Sequence, residues 1–308
     1  MTNPRCAHER YSAHELVSGA LDKCATCVDY IAPGRWTLSI SNGTAFGVRA
    51  QVNDDWLLFR ADAGTSAALH ADMAWELLGW NAALSGNAKF AIAPHGSAIC
   101  LCAELPLDDV ANVPRRVQQA CAGLKEATAL LHGSPSCAGT SSEIVAAADL
   151  DPPALCRATP WTGIEREPGV VVIDLHVPGA LRQAVVSTRP GGRIAASVDL
   201  NSGPADALSP ACRMALASFL LRTNGVVRMA RAVAAGETPR LEIVFADTAD
   251  PIELAHGLAT LSVACRVAAR EAEVLARDDH LARAYLDQFG NAAEECSPPT
   301  SNHNRADG

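Results

Sequence analysis

The feature that most constrains the fold is an order of apolar runs and stops that occurs twice along the chain. The first occurrence is "WELLGWNAALSGNAKFAIAPHGSAICLCAELPLDD", residues 75–109, and the second is "ASFLLRTNGVVRMARAVAAGETPRLEIVFADTADP", residues 217–251. One ungapped shift superimposes a Leu-Leu pair and the asparagine after it, Asn81 in the first stretch and Asn224 in the second. Each stretch predicts a helix that ends near a glycine, then two strands and a stop. The sequence therefore predicts two copies of one small module.

The residues around the first stretch complete the predicted module. The spacing of apolar side chains predicts a helix over residues 13–31. Three strand-like runs follow, "RWTLSI", "TAFGVRAQV" and "DWLLFRAD", separated by short turn signals, and a last helix comes after the second stretch of strands. The predicted order is α-β-β-β-α-β-β-α, an α+β fold in which helices flank an antiparallel sheet. The second half repeats this order, and only the short run "DPPALCRA" could supply its opening helix.

The predicted boundaries place the first module at residues 1–132 and a divergent second module at residues 161–276. A connection rich in Ser, Pro and small residues fills 133–160. Residues 277–308 combine a short helix with a polar tail that we expect to be disordered. Two fused copies can pack on each other as the subunits of a homodimer do, so we expect a monomer with an internal pseudo-dimer.

Composition and charge narrow the class of partner. The chain has 308 residues and a formal net charge of −9, which disfavours a nucleic-acid binder with a basic footprint. No run approaches the roughly 18 apolar residues of a membrane span, and the N-terminal residues lack the apolar core of a signal peptide. We expect a cytoplasmic protein that binds a client or partner protein, and its acidic surface favours basic clients. The odd number of cysteines, 11, predicts small buried side chains rather than a disulfide framework.

Two cysteine pairs are the candidates for metal or redox chemistry. Cys24 and Cys27 form a C-x-x-C motif, which could be half of a zinc site or a redox pair. No second C-x-x-C or histidine pair follows to complete a zinc site, and the motif falls inside a predicted helix rather than at its start. Cys100 and Cys102 share one face of a predicted strand, where side chains splay too far for a comfortable disulfide. Core packing is the favoured interpretation of both pairs, and no metal site is predicted.

The sequence predicts no catalytic constellation. A nucleophile needs a base and an orienting group, and the nine histidines are scattered along the chain. The glycine-rich segments lack the Gly-Lys-Ser/Thr of a phosphate loop. We therefore expect a non-enzymatic protein without a cofactor.

Three segments of the first module form a recognisable pattern. They are "LLGWNAAL...AKFAI", a helix that ends in an asparagine before a strand, "GSAICLCAELPLDDV", a strand that closes in a Leu-Pro-Leu step, and the helix "RVQQACAGLKEATALL". In these segments the first module resembles a class I type III secretion chaperone or the related YbjN-like proteins of bacteria. The second module departs from the pattern, because "FADTADP" stands where that step should be. The resemblance implies an acidic, dimeric chaperone that holds an extended segment of a secretion substrate on apolar patches.

Apolar side chains of the sheets are the predicted binding residues. "DWLLFRAD" is apolar on both faces, so either helices cover both faces of the sheet or one face awaits a partner. The predicted client-binding residues are Trp36, Leu38, Phe46, Val48, Trp56 and Leu58, and the predicted inter-module residues are Trp80, Leu84, Phe90, Phe219 and Val227.

The predicted function is to hold an extended segment of a client protein, which the resemblance implies is a secretion substrate. The alternative is a regulatory or assembly subunit that docks on a larger complex through its second module. A thiol-dependent enzyme or metal protein built on Cys24 and Cys27 is the third hypothesis.

Overall fold

The structure is a computed structural model of the chain. It describes residues 4–42, 44–65, 69–93, 98–132, 151–177, 180–189, 192–200, 202–235, 238–245 and 250–290. Within these ranges the chain forms two α+β modules in tandem. Residues 133–150 of the predicted connection and 291–308 of the predicted tail lie outside the described part of the chain.

The first module combines a six-stranded antiparallel sheet with three helices. Its elements are α1 (Pro4–Cys24), β1 (Cys27–Ala32), β2 (Arg35–Asn42), β3 (Thr44–Asn53), β4 (Trp56–Thr65), α2 (Ala71–Ala83), β5 (Lys89–Ile92), β6 (Ala98–Pro106), a 3-10 turn (Val110–Asn112) and α3 (Val113–Leu131). The strand order across the sheet is β1-β2-β3-β4-β6-β5. Gly34 and Asp54 have φ angles of 71° and 53°, the left-handed conformation that tight hairpin turns require.

The second module repeats this arrangement. Its elements are α4 (Pro152–Arg157), β7 (Gly163–Glu167), β8 (Val170–Val177), β9 (Ala180–Thr188), β10 (Ile194–Asp199), a 3-10 turn (Ala205–Ala207), α5 (Pro210–Val226), β11 (Arg231–Ala235), β12 (Thr238–Val244), α6 (Pro251–Arg277) and α7 (Asp279–Gly290). The strand order is β11-β12-β10-β9-β8-β7. The predicted Ser-Pro helix start is confirmed, since the Ser209 hydroxyl accepts a hydrogen bond from the Cys212 amide at 3.1 Å.

The predicted α+β class is confirmed, but each module has one strand more than the sequence predicted. The helix predicted over residues 13–31 ends at Cys24, and β1 begins at Cys27. The apolar spacing fits a helix up to Cys24, whereas Val28, Tyr30 and Ile31 are β-branched or aromatic and favour a strand. Pairing with β2 then satisfies the backbone groups of β1.

The second module departs from prediction in the same place. The segment before β8, predicted to carry no strand, forms the edge strand β7. The run "DPPALCRA" does hold an opening helix, α4. Both modules therefore have the order α-β-β-β-β-α-β-β-α, and α7 follows the second.

The strand registers identify corresponding positions in the two sheets. A row of paired residues crosses the first sheet from β1 to β5, and its counterpart crosses the second from β7 to β11. The first row contains Asp29, Thr37, Arg49, Arg60, Cys102 and Lys89, and the second contains Ile164, Val172, Val185, Ser197, Glu242 and Arg231.

Each sheet has a core face and an outer face. The core faces pack on α3 in the first module and α6 in the second, and most buried apolar residues of the two modules form one continuous cluster. α6 is the one described helix whose length and composition would suit a membrane span, and half of its most apolar window is buried in the structure. The core helix of a globular domain passes the same test.

The modules pack on each other reciprocally. α2 of the first module lies on β11 of the second, α5 of the second lies on β5 of the first, and the two helices also contact each other. A homodimer has this kind of exchange between equivalent surfaces. The inner ends of both sheets, β5 and β11, therefore meet the opposite module, whereas β1 and β7 lie at the outer ends.

Candidate functional site

Two buried asparagines join the inner edges of the sheets. The Asn81 side chain accepts a hydrogen bond from the Phe90 amide at 2.6 Å and donates to the carbonyls of Phe90 and Ala232 at 3.1 and 3.4 Å. Asn224 mirrors it, accepting from the Ala232 amide at 2.5 Å and donating to the carbonyls of Phe90 and Ala232 at 3.0 and 3.2 Å. Both side chains are fully buried. These bonds saturate backbone groups that edge strands would otherwise expose.

Each module also has a buried cation in its inner edge strand, Lys89 in β5 and Arg231 in β11. The two cations occupy corresponding positions in the registers of the two sheets. The Lys89 ammonium donates to the carbonyls of Val227 and Ala230 in the second module, at 2.5 and 3.0 Å, and lies 2.9 Å from Glu104. Lys89 is fully buried. Its positive charge caps the C-terminal end of α5, where backbone carbonyls lack helical partners.

Arg231 of the second module makes the equivalent contact with the first module. It donates to the carbonyls of Leu84, Gly86 and Ala88, at 2.8, 2.6 and 3.1 Å, just beyond α2. Its carboxylate partner is Glu242, at 3.1 Å. Burial lowers the pKa of the Arg231 guanidinium, and the Glu242 charge opposes that shift.

The predicted inter-module residues divide into two groups. The backbone carbonyls of Leu84, Phe90 and Val227 are among those that accept hydrogen bonds from side chains of the other module. Trp80 packs against Phe90 of its own module, with ring centroids 5.5 Å apart, and Phe219 packs against Tyr285 of α7 at 6.1 Å.

Four of the predicted client-binding residues lie on the core face of the first sheet. Trp36, Leu38 and Val48 are at most 3% exposed, and Phe46 is half-buried against the same core. Strand alternation turns them toward the side of the sheet that α1 and α3 cover. Trp36, Leu38 and Val48 therefore offer a client no surface, Phe46 faces the core rather than a client, and the predicted site is corrected at these positions.

The other two predicted client-binding residues, Trp56 and Leu58, lie on the outer face and are half-buried. The guanidinium of Arg228, in the turn after α5, lies 5.0 Å from the Trp56 ring centroid. This is a cation–π contact between the modules. Trp56 therefore has an internal partner.

An exposed apolar row on the second sheet lies where the first sheet is polar. Ile164 and Val185 are 58% and 37% exposed, and Val172 is half-buried between them. We call these three residues the apolar row. Their register counterparts in the first sheet are Asp29, Thr37 and Arg49.

A cavity of about 300 Å³ opens on the opposite side of β7. Pro153 and Cys156 of α4, Trp161, and Val171 of β8 supply its apolar lining. Gly163 allows β7 to lie close to β8, because a Cβ there would meet Val171 Cγ1 at 2.5 Å.

The first module fills the corresponding space. Trp36 occupies the register position of Val171, and His14 of α1 stacks on it with ring centroids 4.9 Å apart. α1 spans 21 residues and α4 only six. The short helix leaves the cavity beside β7 open.

The two cysteine pairs lie in different environments in the structure. Cys24 ends α1 half-buried and Cys27 begins β1 exposed, so they share neither a helix nor an environment. Cys100 and Cys102 share a buried strand face as predicted, with sulfur atoms 3.5 Å apart and no disulfide between them. The described residues contain no group of three or more His, Cys, Asp or Glu side chains that could hold a metal ion.

An ionic cluster joins α3 to the start of α6. Arg115 lies 3.6 Å from Glu253, Arg116 lies 3.1 Å from Asp108, and His256 lies 2.8 Å from Asp108. Burial raises the pKa of the Glu253 carboxyl above its ordinary value, and the nearby guanidinium groups offset only part of that effect.

Replacing Glu253 by glutamine is expected to remove part of the pH dependence of stability. Because its folded-state pKa is raised, the native protein holds an extra proton just above pH 4.5, so the wild-type free energy of unfolding falls as pH rises through that window. The variant should lack this fall and gain stability relative to wild type at pH 8. Urea titrations at pH 5 and pH 8 measure the difference, and Glu15→Gln, an exposed site, is the control. Parallel pH profiles for wild type and Glu253→Gln would contradict the prediction.

The sequence does carry a signal for the apolar row. "VVVI", Val170–Ile173, is apolar on both faces in the same way as "DWLLFRAD". The cavity had no such signal, because its walls come from α4, the segment after it and two strands.

No protein-family model, curated protein or solved structure matches this chain.

Proposed function

We propose that the chain is a non-enzymatic, chaperone-like protein that holds an extended segment of a client protein, and that the segment pairs as an extra strand with β7. One observation carries the proposal: β7 is an exposed outermost strand with an apolar row on one side and an open cavity on the other. A peptide that adds a strand to a sheet gains affinity from main-chain hydrogen bonds to the exposed edge strand. It gains specificity from pockets that receive its alternate side chains.

The contrast between the sheet edges supports this choice of site. Asn81 and Asn224 close the inner edges, whereas no other described strand pairs with the outer side of β7. An added strand would place one set of side chains beside Ile164 and the alternate set over the cavity next to Trp161. Both sets would bury apolar surface, at roughly 25 cal/mol per Å².

The reciprocal packing of the modules fits the chaperone resemblance. Such chaperones work as dimers, and fusion of two copies supplies the second subunit at a high effective concentration. It also lets the copies diverge, so that the second module keeps a cavity beside its outermost strand while His14 and Trp36 fill the corresponding space in the first. The net charge of −9 would attract basic clients at long range.

Val172→Asp is expected to weaken client binding at least tenfold, because it places a charge in the centre of the apolar row. Client segments would be identified by crosslinking in the native cell, synthesised as labelled peptides and titrated by fluorescence anisotropy. Thr37→Asp is the matched control, since Thr37 holds the same register position in the first sheet. Equal affinities for the two variants would contradict the proposal.

Hydrogen exchange would locate the bound segment. Strand addition is expected to protect amides of β7 (Gly163–Glu167) when the peptide binds. Protection confined to another surface would place the client elsewhere.

A regulatory or assembly subunit is the second candidate, because α6 exposes an apolar face. Val263 and Val267, four residues apart, are 52% and 47% exposed, and Ile252 is 62% exposed. Docking on a larger complex through α6 would give co-purification in fixed stoichiometry and sensitivity to Val263→Asp. Client holding would be sensitive to Val172→Asp instead.

A further inference from the structure

We infer that the cavity beside β7 receives an aromatic side chain of the client, and that this side chain lies next to Gly163. The inference rests on the proposed function, because it names the residue class that a client strand on β7 carries at one position. The cavity has a volume of about 300 Å³ and lies on the core side of β7. An apolar cavity of roughly 150 Å³ holds a benzene molecule, so the space admits a phenyl or an indole ring.

The first module shows what the fold places in this space. Trp36 and Val171 occupy corresponding register positions, and Tyr30 and Glu165 lie opposite them on the outermost strands. His14 of α1 completes an aromatic cluster, stacked on Trp36 and edge-on to Tyr30, with ring centroids 4.9 and 5.9 Å away. The second module has no ring at either register position. One copy therefore holds an indole ring where the other has a cavity.

The buried part of the cavity lining is apolar. Pro153 and Cys156 of α4 and Val171 of β8 supply it. Burial raises the pKa of the Cys156 thiol to about 11, so this side chain is uncharged at neutral pH and acts as a small hydrophobic group. Trp161 adds an aromatic wall, and its Nε1 donates a hydrogen bond to the Ala255 carbonyl at 3.4 Å. A ring in the cavity can pack against Trp161, and such aromatic pairs are more favourable than burial of the same area alone.

The charged residues of the lining have partners within the chain and do not select a charged ligand. Arg157 is exposed and lies 3.8 Å from Asp151. The Glu165 carboxylate is exposed and accepts a hydrogen bond from the Gly169 amide at 3.2 Å. The buried walls therefore decide which side chain fits.

Gly163 fixes the position of the ring along the client strand. It belongs to the outermost strand β7, lines the cavity and has no side chain to cover the backbone there. A cross-strand aromatic residue compensates for a glycine in an edge strand and fixes the strand register. Residues that pair directly across two strands share a face of the sheet, so the client residue opposite Gly163 points into the cavity. The client residues on either side of it face the apolar row instead.

Binding of blocked amino acids tests the cavity without a client. Wild type is titrated with N-acetyl-tryptophanamide and N-acetyl-leucinamide, while NMR follows the Gly163 amide and the Trp161 indole N–H. The tryptophan compound is expected to shift both signals and to bind at least about threefold more tightly than the leucine compound. Equal affinities for the two compounds, or shifts that leave both signals unchanged, would overturn the inference.

Val171→Trp places the ring of the first module in the cavity and should weaken binding of the tryptophan compound at least about tenfold. Val171→Phe is the smaller replacement if Val171→Trp does not fold. Val226→Trp is the matched control, because it makes the same replacement at a position that is 59% exposed and should bind as wild type does. Unchanged binding in the folded Val171 variant would overturn the inference.

Client peptides separate this inference from the proposed function. Replacing the aromatic residue of a bound peptide by leucine should raise its dissociation constant about threefold or more. Protection of β7 amides by peptides whose affinity does not depend on an aromatic residue would overturn the aromatic site and leave strand addition standing. Binding of the tryptophan compound without client protection of β7 would contradict the proposed function instead. Self-association of the chain that Val171→Trp abolishes would assign the cavity to a second copy and overturn its assignment to a client.

Discussion

Replacing Lys89 by methionine is expected to lower the free energy of unfolding by roughly 3–5 kcal/mol, the cost of leaving a buried charge without its partner. Methionine keeps most of the side-chain volume but removes the ammonium group, which lies 2.9 Å from Glu104 and bonds two carbonyls of the second module. Urea unfolding followed by circular dichroism measures the loss.

Two further variants separate the charge from the packing. Lys23→Met removes an exposed lysine of α1 and should change stability by less than about 0.5 kcal/mol. Adding Glu104→Gln to Lys89→Met should recover part of the loss, because the stranded carboxylate is then neutral. A loss in Lys89→Met no larger than in Lys23→Met would show that the buried ion pair does not hold the modules together.

Replacing Asn81 by leucine is expected to cost roughly 2–4 kcal/mol, because the buried Phe90 amide loses its acceptor. The carbonyls of Phe90 and Ala232 keep a donor in the single variant, since Asn224 bonds them as well. Asn224→Leu should behave in the same way and leave the Ala232 amide without an acceptor. Urea unfolding again gives the values, with exposed Asn53→Leu as the control.

The double variant tests whether the two asparagines act as one unit. It removes both donors from each shared carbonyl, so its cost should exceed the sum of the single costs by roughly 1–3 kcal/mol. Strict additivity would mean that the asparagines stabilise their own modules separately. Hydrogen exchange of β5 and β11 would still report the effect if the double variant is too unstable for urea titration.

The duplication was predictable from particular residues. Asn81 and Asn224 match because each side chain must both accept from a strand amide and donate to strand carbonyls, which requires a short amide. Their neighbours diverged, since Lys89 and Arg231 both place a cation on helix-end carbonyls while differing in side chain. The carboxylate partners do not correspond in register, because Glu242 aligns with Cys102 rather than with Glu104. Both modules therefore have a buried cation paired with a carboxylate, although the carboxylates occupy different positions in the two sheets.

The binding surface was less predictable. Strand alternation places Trp36 and Leu38 on the same face of the sheet, but it does not say whether that face is exposed or buried. The helices that pack on the sheet decide this, and they bury both residues. The same sequence criterion selected Trp56, whose ring turned out to contact Arg228 of the other module. Alternation assigns residues to faces but does not say what covers each face.

By itself the sequence determined the fold class, the repeated order of most elements and the asparagine pair, because periodicity and local backbone requirements act over a few residues. Only the tertiary structure decided that residues after Cys24 form an edge strand, that one sheet edge is closed and another open, and that Arg189, Arg193 and Arg240 converge beside α2. Those outcomes depend on contacts between residues far apart in the chain, and no local pattern encodes which distant element will satisfy an exposed backbone group or an unpaired charge.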